Sequence, residues 1–206
     1  MPVPGPPLGC LLGPTDALPH PPRRVLVAGT AGAGKSTLAG GIAAVLGLSY
    51  VELDALFHGP QWTCRPEFAE DVRKFVREPE WVTEYQYQAV RPLLLGEADT
   101  LVWLDHPRPF VMRRLVLRTV RRRLMGEHLW NGNYEPPLRT VFTDRRHLWR
   151  WAWKSHGRMR EKLTQVLAGE HGSRLAIVRL RGQREVDRWR AGPLRQAAGL
   201  DEESVR

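Results

Sequence analysis

Residues 25–37 read Val-Leu-Val-Ala-Gly-Thr-Ala-Gly-Ala-Gly-Lys-Ser-Thr, four apolar residues followed by a glycine-rich run. The run at 29–37 follows the pattern G-x-x-x-x-G-K-[ST]. The apolar residues predict a β-strand, and residues 35–46, stopped by Gly47, predict a helix. Because strand, loop and helix come in this order, the stretch predicts a phosphate-binding loop rather than a plain glycine-rich turn.

A loop of this kind binds phosphate mainly through its backbone. Glycines let the chain curl tightly enough for several N–H groups to face one phosphate, and the helix N-terminus adds its positive end. We expect Lys35 to reach the β- and γ-phosphates of a nucleotide, and the Ser36 hydroxyl to ligate Mg²⁺. The residues expected to bind the nucleotide are Gly29, Thr30, Ala31, Gly32, Ala33, Gly34, Lys35, Ser36 and Thr37.

The rest of the chain indicates one α/β domain. Residues 1–22 contain eight prolines and predict a flexible extension, while 193–206 predict a C-terminal tail. Between them, short apolar runs alternate with helical stretches, which is typical of a parallel sheet covered by helices in three layers. We expect a single domain over 23–192 with five parallel strands, at 25–28, 50–53, 81–84, 100–104 and 175–180.

Composition restricts the class of protein. The chain has 206 residues, of which 42% are hydrophobic and 26% charged, so it can bury a core and is unlike a disordered segment. No run approaches the ~18 apolar residues of a membrane helix, and no secretory signal is evident, so we expect a cytoplasmic protein without a membrane partner. The net charge of the chain is +9, and the excess is concentrated at 108–162, a segment with 15 basic and 4 acidic residues. This segment fits a polyanion, a phosphorylated ligand or a solvated face.

Three carboxylates follow predicted strands, at the sheet edge where nucleotide sites lie. Asp54 is expected beside the phosphate-binding loop, where it either faces substrate or metal or caps a helix. Glu84 is a candidate for the magnesium side or for a base. Asp105 follows the most apolar strand, which resembles a Walker B strand, and is a candidate site carboxylate on that ground. Because His106-Pro107 and a predicted helix come next, we favour the alternative that it caps that helix.

Arginines form a stripe on the helix predicted after Pro107. Arg114, Arg118, Arg121 and Arg122 recur at spacings of three and four, and such a stripe on a mobile segment can neutralise a transferring phosphoryl group. We therefore predict an arginine-rich helical lid over about 114–160, with a solvated helix face as the alternative. The helix predicted at 143–168 mixes basic residues with tryptophans, a combination that can mark nucleic-acid binding. Because Trp149, Trp151 and Trp153 are two positions apart, they cannot all lie on one helix face, so we favour packing on the lid or core over contact with nucleic acid.

Over residues 23–192 the sequence resembles the P-loop nucleoside-monophosphate-kinase superfamily, and most closely the bacterial DNA topology modulation proteins and adenylate-kinase-like P-loop kinases. The residues that carry the resemblance are 25–37, Glu52-Leu53-Asp54-Ala55-Leu56-Phe57 with Trp62, and Val102-Trp103-Leu104-Asp105-His106-Pro107 with Arg114 and Arg118. One departure is Glu84-Tyr85-Gln86-Tyr87, since relatives commonly carry Asp-Gly there and Tyr85 adds bulk where a backbone approaches the substrate.

The resemblance implies a five-stranded parallel sheet with a lid, and ATP with Mg²⁺ as the phosphoryl donor. It places Asp54 opposite the acceptor, Arg114 on the adenine, Arg118 on the phosphates and Arg181 in the region that lines the adenine. We expect an ATP-dependent kinase that acts on a nucleotide or another small molecule, with Lys35, Asp54, Glu84, Arg118 and Arg122 as its catalytic residues. The alternatives are a nucleic-acid-associated nucleotide-binding protein and a kinase toxin.

Overall fold

A computed structural model of the chain describes residues 9–125, 130–133 and 148–200, with backbone alone at 148–152, 154 and 155. Its centre is a parallel sheet of six strands in the order β1-β6-β5-β2-β4-β3. The strands are β1 (Leu11–Leu12), β2 (Arg24–Ala28), β3 (Ser49–Val51), β4 (Trp81–Glu84), β5 (Thr100–Leu104) and β6 (Ala176–Leu180). The predicted α/β class is confirmed, whereas the prediction of five strands is wrong by one.

The described helices cover both faces of this sheet. They are α1 (Lys35–Leu46), α2 (Leu53–Phe57), α3 (Phe68–Phe75), α4 (Arg91–Glu97), α5 (Arg108–Leu124), α6 (Leu148–Ala168), α7 (Glu170–Arg174), α8 (Gln183–Ala191) and α9 (Pro193–Ala197). Two short 3-10 turns lie at Pro60–Trp62 and Trp130–Gly132. Part of the predicted lid, at 126–129 and 134–147, lies outside the described residues, as does the predicted start of the long helix at Thr143 or Asp144.

The additional strand comes from the proline-rich start of the chain. Leu11 and Leu12 pair with Ile177 and Val178 at the edge of the sheet, and Leu12 is buried. Prolines cannot donate to a ladder, and Leu11 and Leu12 lie in the proline-free interval 8–13. As an edge strand, β1 needs a partner on one side only. At the other end of the chain, α9 packs against α1 through the fully buried Leu194.

Alternate residues of the central strand enter two different cores. Val25 and Val27 pack with Ile42 of α1 and Trp189 of α8, while Leu26 packs on the opposite face. The second core is completed by residues of α3, α4 and α6, namely Phe68, Val72, Leu94, Leu95 and Leu163. Because both faces are covered, β2 reads as a continuous apolar run. The sheet and its two helical layers therefore match the predicted three-layer arrangement.

The strand ends bring the candidate residues to one edge. β2 lies between β4 and β5, so the loop after β2 is flanked by the residues that follow those strands. The predicted strand at 50–53 ends earlier than expected, at Val51, and Leu53 begins the short helix α2. Asp54 consequently lies in the first turn of a helix at this edge rather than directly after a strand.

Candidate active site

The phosphate-binding loop is packed against α5. Gly32 and Gly34 have φ angles of 83° and 96°, in the left-handed region that favours glycine. A Cβ atom on Gly32 would lie 2.8 Å from the carbonyl oxygen of Val111 and 2.9 Å from Cβ of Leu115, both in α5. Within the loop, the Ala33 amide donates to the Thr30 carbonyl over 3.1 Å. The tight backbone that the sequence pattern requires is thus present, and a helix holds it from outside.

Lys35 lies at the start of α1 among charges from several elements. Its ammonium is 3.4 Å from the Thr30 carbonyl oxygen. Burial lowers the pKa of Lys35; Glu84 and then Asp54 act to raise it, and Arg118 acts to lower it. The structure therefore brings four of the predicted catalytic residues close together around the Lys35 ammonium, namely Lys35, Asp54, Glu84 and Arg118. Arg91, at the start of α4, also lowers this pKa and was missed by the sequence analysis.

Glu84 and Ser36 are joined through a tyrosine that the sequence analysis did not single out. Glu84 is buried at the end of β4, where its Oε1 accepts a hydrogen bond of 2.8 Å from the Tyr50 hydroxyl. The Leu53 amide is 3.5 Å from the other carboxylate oxygen. Burial, and after it the charge of Glu84, raise the pKa of Tyr50, while a hydrogen bond with Ser36 acts in the opposite sense. The Tyr50 hydroxyl thus connects the predicted magnesium ligand to the buried carboxylate.

Asp54 is held by two side chains from the segment after β4. Its Oδ1 accepts hydrogen bonds from Gln86 Nε2, at 2.9 Å, and from the Tyr87 hydroxyl. The same hydroxyl lies 3.2 Å from Nε2 of His58. Asp54 therefore belongs to a polar network that the sequence analysis did not foresee.

Aromatic and acidic side chains extend this network toward the segment 130–133. Trp130 hydrogen-bonds Glu52, whose pKa is raised chiefly by burial. The His58 ring is stacked on Trp130 with 6.0 Å between ring centroids. We name Glu52, Asp54, His58, Tyr87 and Trp130 the aromatic–acidic cluster.

Polar contacts tie the segment 130–133 to the loop after α2. The Trp62 amide donates to Asn133 Oδ1 over 3.0 Å, and Asn133 Nδ2 donates to the Gly59 carbonyl over 2.9 Å. Among the described residues, the non-glycine positions with positive φ all lie in or beside the cluster, and they are Gln61, Trp62, Tyr87 and Asn131. Strained backbone of this kind concentrates at functional sites, because surrounding contacts must hold it.

The arginines of α5 divide between two surroundings. Arg114 Nη1 donates to Gln183 over 3.0 Å, and its guanidinium would lie 3.2 Å from a Cβ atom on Gly34, so Arg114 covers the phosphate-binding loop. Arg118 and Arg122 line a cavity of about 340 Å³ with Leu117 and Arg121. The guanidinium carbon of Arg122 is 5.9 Å from the Trp130 ring centroid, which brings it next to the aromatic–acidic cluster. The lid role predicted for these arginines stays a prediction.

Arg181, directly after β6, and His106, two residues after β5, lie near one another at the same edge of the sheet. The Arg181 amide, in the region expected to line the adenine, donates to Glu185 over 2.8 Å, and the Arg181 side chain is exposed. His106 is buried, with its ring facing the backbone of Ala33 and of Arg181. His106 therefore lies between the phosphate-binding loop and the end of β6.

The expectation that Asp105 caps the helix after it is wrong. The cap position of α5 is Pro107, and no side chain caps this end. Asp105 instead accepts hydrogen bonds from Arg160 of α6, at 2.9 Å and 3.0 Å, and from Arg179 of β6. Two long arginines that enter from distant segments outcompete the local backbone, because each brings a charge as well as donors.

Tyr85 was expected to add bulk beside the substrate, but its side chain lies in the core. Tyr85 is 4% exposed and packs in the core beneath the sheet, whereas Tyr87 reaches Asp54. The residues missed by the sequence analysis are Tyr50, Glu52, His58, Tyr87, Arg91 and Trp130. Glu52 and Tyr87 had one available signal, since each lies within three residues of a carboxylate that was identified.

The residues present fit a nucleotide and a magnesium ion. The loop at 29–34 supplies the backbone cradle, and Arg114 covers it. Magnesium takes oxygen ligands and keeps few protein ones beside substrate phosphates and water, which suits the Ser36 hydroxyl and Glu84. Within the described ranges, no group of three or more His, Cys, Asp or Glu residues is arranged to hold a metal ion by itself. In the same ranges, no helix is both long and apolar enough to cross a bilayer.

Comparison with known proteins gives similarity to solved structures alone. No family model matches the chain, and no curated protein matches it. It is similar to shikimate kinase from Acinetobacter baumannii in complex with shikimate, at 15% identity and a TM-score of 0.49, over 86% of this chain and 89% of that one. It is also similar to a gluconokinase from Sinorhizobium meliloti 1021, at 18% identity and a TM-score of 0.45, over 90% of this chain and 99% of that one. A third similar structure is a sugar kinase from Janibacter sp., at 20% identity and a TM-score of 0.39, over 87% of this chain and 91% of that one. Each of these similar structures is a small-molecule kinase.

Proposed function

We propose that the chain is a P-loop phosphotransferase that moves the γ-phosphoryl group of ATP to a small-molecule acceptor. The observation that carries the proposal is the convergence on Lys35 of Glu84, Asp54 and Arg118, from three other elements, beside a phosphate-binding loop. Phosphoryl transfer needs positioning and charge neutralisation more than covalent chemistry, and these residue types supply both. No phosphorylated enzyme intermediate is expected.

Each residue has a distinct part in this proposal. Lys35 and the amides of the loop bind the β- and γ-phosphates, while Ser36 and Glu84 hold the magnesium ion, which neutralises phosphate charge when bound. Arg118 and Arg122 face the phosphates from α5 and stabilise the charge that develops on the equatorial oxygens. Asp54 orients the acceptor, and Arg114 with the Arg181 region contacts the base of the nucleotide.

The proposal is tested by transfer of label from γ-labelled ATP in the presence of Mg²⁺. Parallel reactions contain nucleoside monophosphates, a panel of sugars, sugar alcohols and hydroxy acids, or no acceptor. We expect transfer to one acceptor class, lost in Lys35→Ala and kept in Lys74→Ala, which removes an exposed lysine of α3. Equal transfer by wild type and Lys35→Ala, or no transfer to any acceptor, contradicts the proposal.

A second candidate function, association with nucleic acid, is supported by the exposed basic face of α5. Arg113, Arg121 and Arg123 are exposed there, on the side away from the buried Val111 and Leu115. Binding that depends on such a face weakens with salt, with a slope of log K against log[salt] near −0.9 for each phosphate neutralised. Fluorescence anisotropy with labelled duplex and single-stranded DNA measures this slope. Absence of binding at low salt rejects this candidate.

A further inference from the structure

Tyr87 occupies the place after β4 in an uncommon backbone conformation. Its φ angle is 57°, in the left-handed region that aromatic residues rarely adopt. The ring is stacked on Phe57 with 4.1 Å between centroids, and its edge packs on Phe68 at 5.1 Å. These contacts hold the ring so that its hydroxyl lies between Asp54 and His58.

The three polar groups form a chain whose direction follows from their protons. A carboxylate can only accept, so the single proton of the Tyr87 hydroxyl is donated to Asp54. His58 Nε2 lies 3.2 Å from the same hydroxyl oxygen and must therefore carry the proton that it donates. Burial lowers the pKa of His58, and burial followed by the Asp54 charge raises the pKa of Tyr87. Both rings thus stay neutral, and the chain runs from His58 through Tyr87 to Asp54.

This chain fixes Asp54 by one of its two oxygens. Gln86 Nε2 donates to the same Oδ1 that Tyr87 uses. With Oδ1 engaged by Gln86 and Tyr87, Oδ2 is the carboxylate oxygen that an incoming ligand meets, and the charge of Asp54 acts on Lys35. A neutral hydroxyl group can donate to Oδ2, whereas a phosphate dianion has no proton to donate and is repelled by a carboxylate at contact distance.

We infer that Tyr87, held by His58, is a positioning residue that fixes Asp54 as a hydrogen-bond acceptor toward a hydroxyl group, so the group phosphorylated is an alcohol and not a phosphate. The inference rests on the proposed function. In the transfer step the alcohol oxygen forms a bond to the γ-phosphorus and the bond from that phosphorus to the β,γ-bridging oxygen breaks. The hydroxyl proton passes to Asp54 Oδ2 and then to water. The products are ADP and a phosphate monoester.

The test combines Tyr87→Phe, Tyr85→Phe and the acceptor panel described above. Tyr87→Phe removes the hydroxyl and keeps the ring packing, while Tyr85→Phe makes the same change in a ring that is buried in the core. We expect kcat to fall about tenfold to a hundredfold in Tyr87→Phe, as for loss of a hydrogen bond to a charged group, with KM for ATP unchanged. Tyr85→Phe keeps the wild-type kcat, and ³¹P NMR shows a phosphate monoester as product.

A diphosphate product overturns the alcohol assignment, and a wild-type kcat in Tyr87→Phe overturns the positioning role. Absence of phosphoryl transfer by the wild-type protein counts against the proposed function. The hydrogen bonds from His58 through Tyr87 to Asp54 are then tested by a measurement that needs no activity. Titration of ¹³C-labelled tyrosines by NMR is expected to show a lower Tyr87 pKa in Asp54→Asn than in the wild-type chain. An unchanged Tyr87 titration overturns the inference.

Discussion

The phosphate-binding loop and the aromatic–acidic cluster lie side by side but arise in different ways. The loop is one continuous run, 29–37, whose conformation follows from its own glycines and from the strand and helix on either side. The cluster is assembled from three segments, which contribute Glu52 to His58, Tyr87 and Trp130. A local motif therefore defines the phosphate side of the site, while the side facing Asp54 depends on tertiary structure.

The largest effect is expected for Gly32→Ala, in the loop. A Cβ atom there would lie 2.8 Å from the Val111 carbonyl oxygen and 3.2 Å from the Leu115 amide nitrogen, which are backbone atoms of α5 and cannot move aside cheaply. Overpacking and a left-handed φ together should lower the free energy of unfolding by about 2–4 kcal/mol. Chemical denaturation measures this change.

The matched control for that substitution is Gly40→Ala in α1. A Cβ atom on Gly40 meets no atom within 4 Å, so the change should leave stability unchanged or raise it by up to about 1 kcal/mol. Similar losses in the two variants would show that close packing of the loop on α5 is not what distinguishes Gly32.

A smaller effect is expected for Asn133→Ala, beside the cluster. The Asn133 side chain is buried and bonds the Trp62 amide and the carbonyls of Gly59 and Trp130. Its removal leaves these backbone groups without that partner, which should cost about 1–3 kcal/mol of unfolding free energy. Nucleotide affinity should be unchanged, because the loop at 29–37 is built locally. Calorimetric titration with ADP measures the nucleotide affinity. A loss of affinity together with the loss of stability would contradict the independence of the phosphate-binding loop from the aromatic–acidic cluster.

The smallest effect concerns pH and His106. Burial lowers the pKa of His106 in the folded chain below the ordinary value of 6.5, so as pH falls below about 6.5 the unfolded chain takes up a proton first. The stability that His106 contributes is present above pH 6.5 and is lost as pH falls through its folded pKa. His106→Gln should therefore make the decline in unfolding free energy between pH 7.5 and 5.5 shallower. Urea unfolding at the two pH values tests this, and an unchanged slope would refute it.

The sequence predicted the parts of the molecule that local patterns determine. The run at 25–28 and the glycines after it predicted the loop, the bounds of α1, and β2 to within one residue at its start, because period and turn chemistry agree there. β1 was missed because a strand of two residues, in a six-residue interval between Pro7 and Pro14, carries no periodic signal; the sheet edge supplies its partner.

The side of the site around Asp54 was predicted in part. Asp54 and Glu84 were identified from their places after apolar runs, and Lys35 and Arg118 were identified with them. Tyr87 and Trp130 were not, because their role depends on contacts across about 30 to 80 positions of the chain that no local pattern records. Asp105 was assigned to the helix that follows it for the same reason, since Arg160 and Arg179 are distant in sequence.

We expect residues 29–37 to bind a nucleotide without depending on the neighbouring aromatic–acidic cluster. Calorimetric titration of a non-hydrolysable ATP analogue with Mg²⁺ into wild type, Lys35→Ala, Lys74→Ala and Tyr87→Phe tests it directly. Loss of the Lys35 charge should weaken binding about tenfold to a hundredfold, as for hydrogen bonds to charged groups, while Lys74→Ala and Tyr87→Phe bind like wild type. No binding by the wild-type chain, or equal weakening in Lys35→Ala and Tyr87→Phe, would contradict the claim.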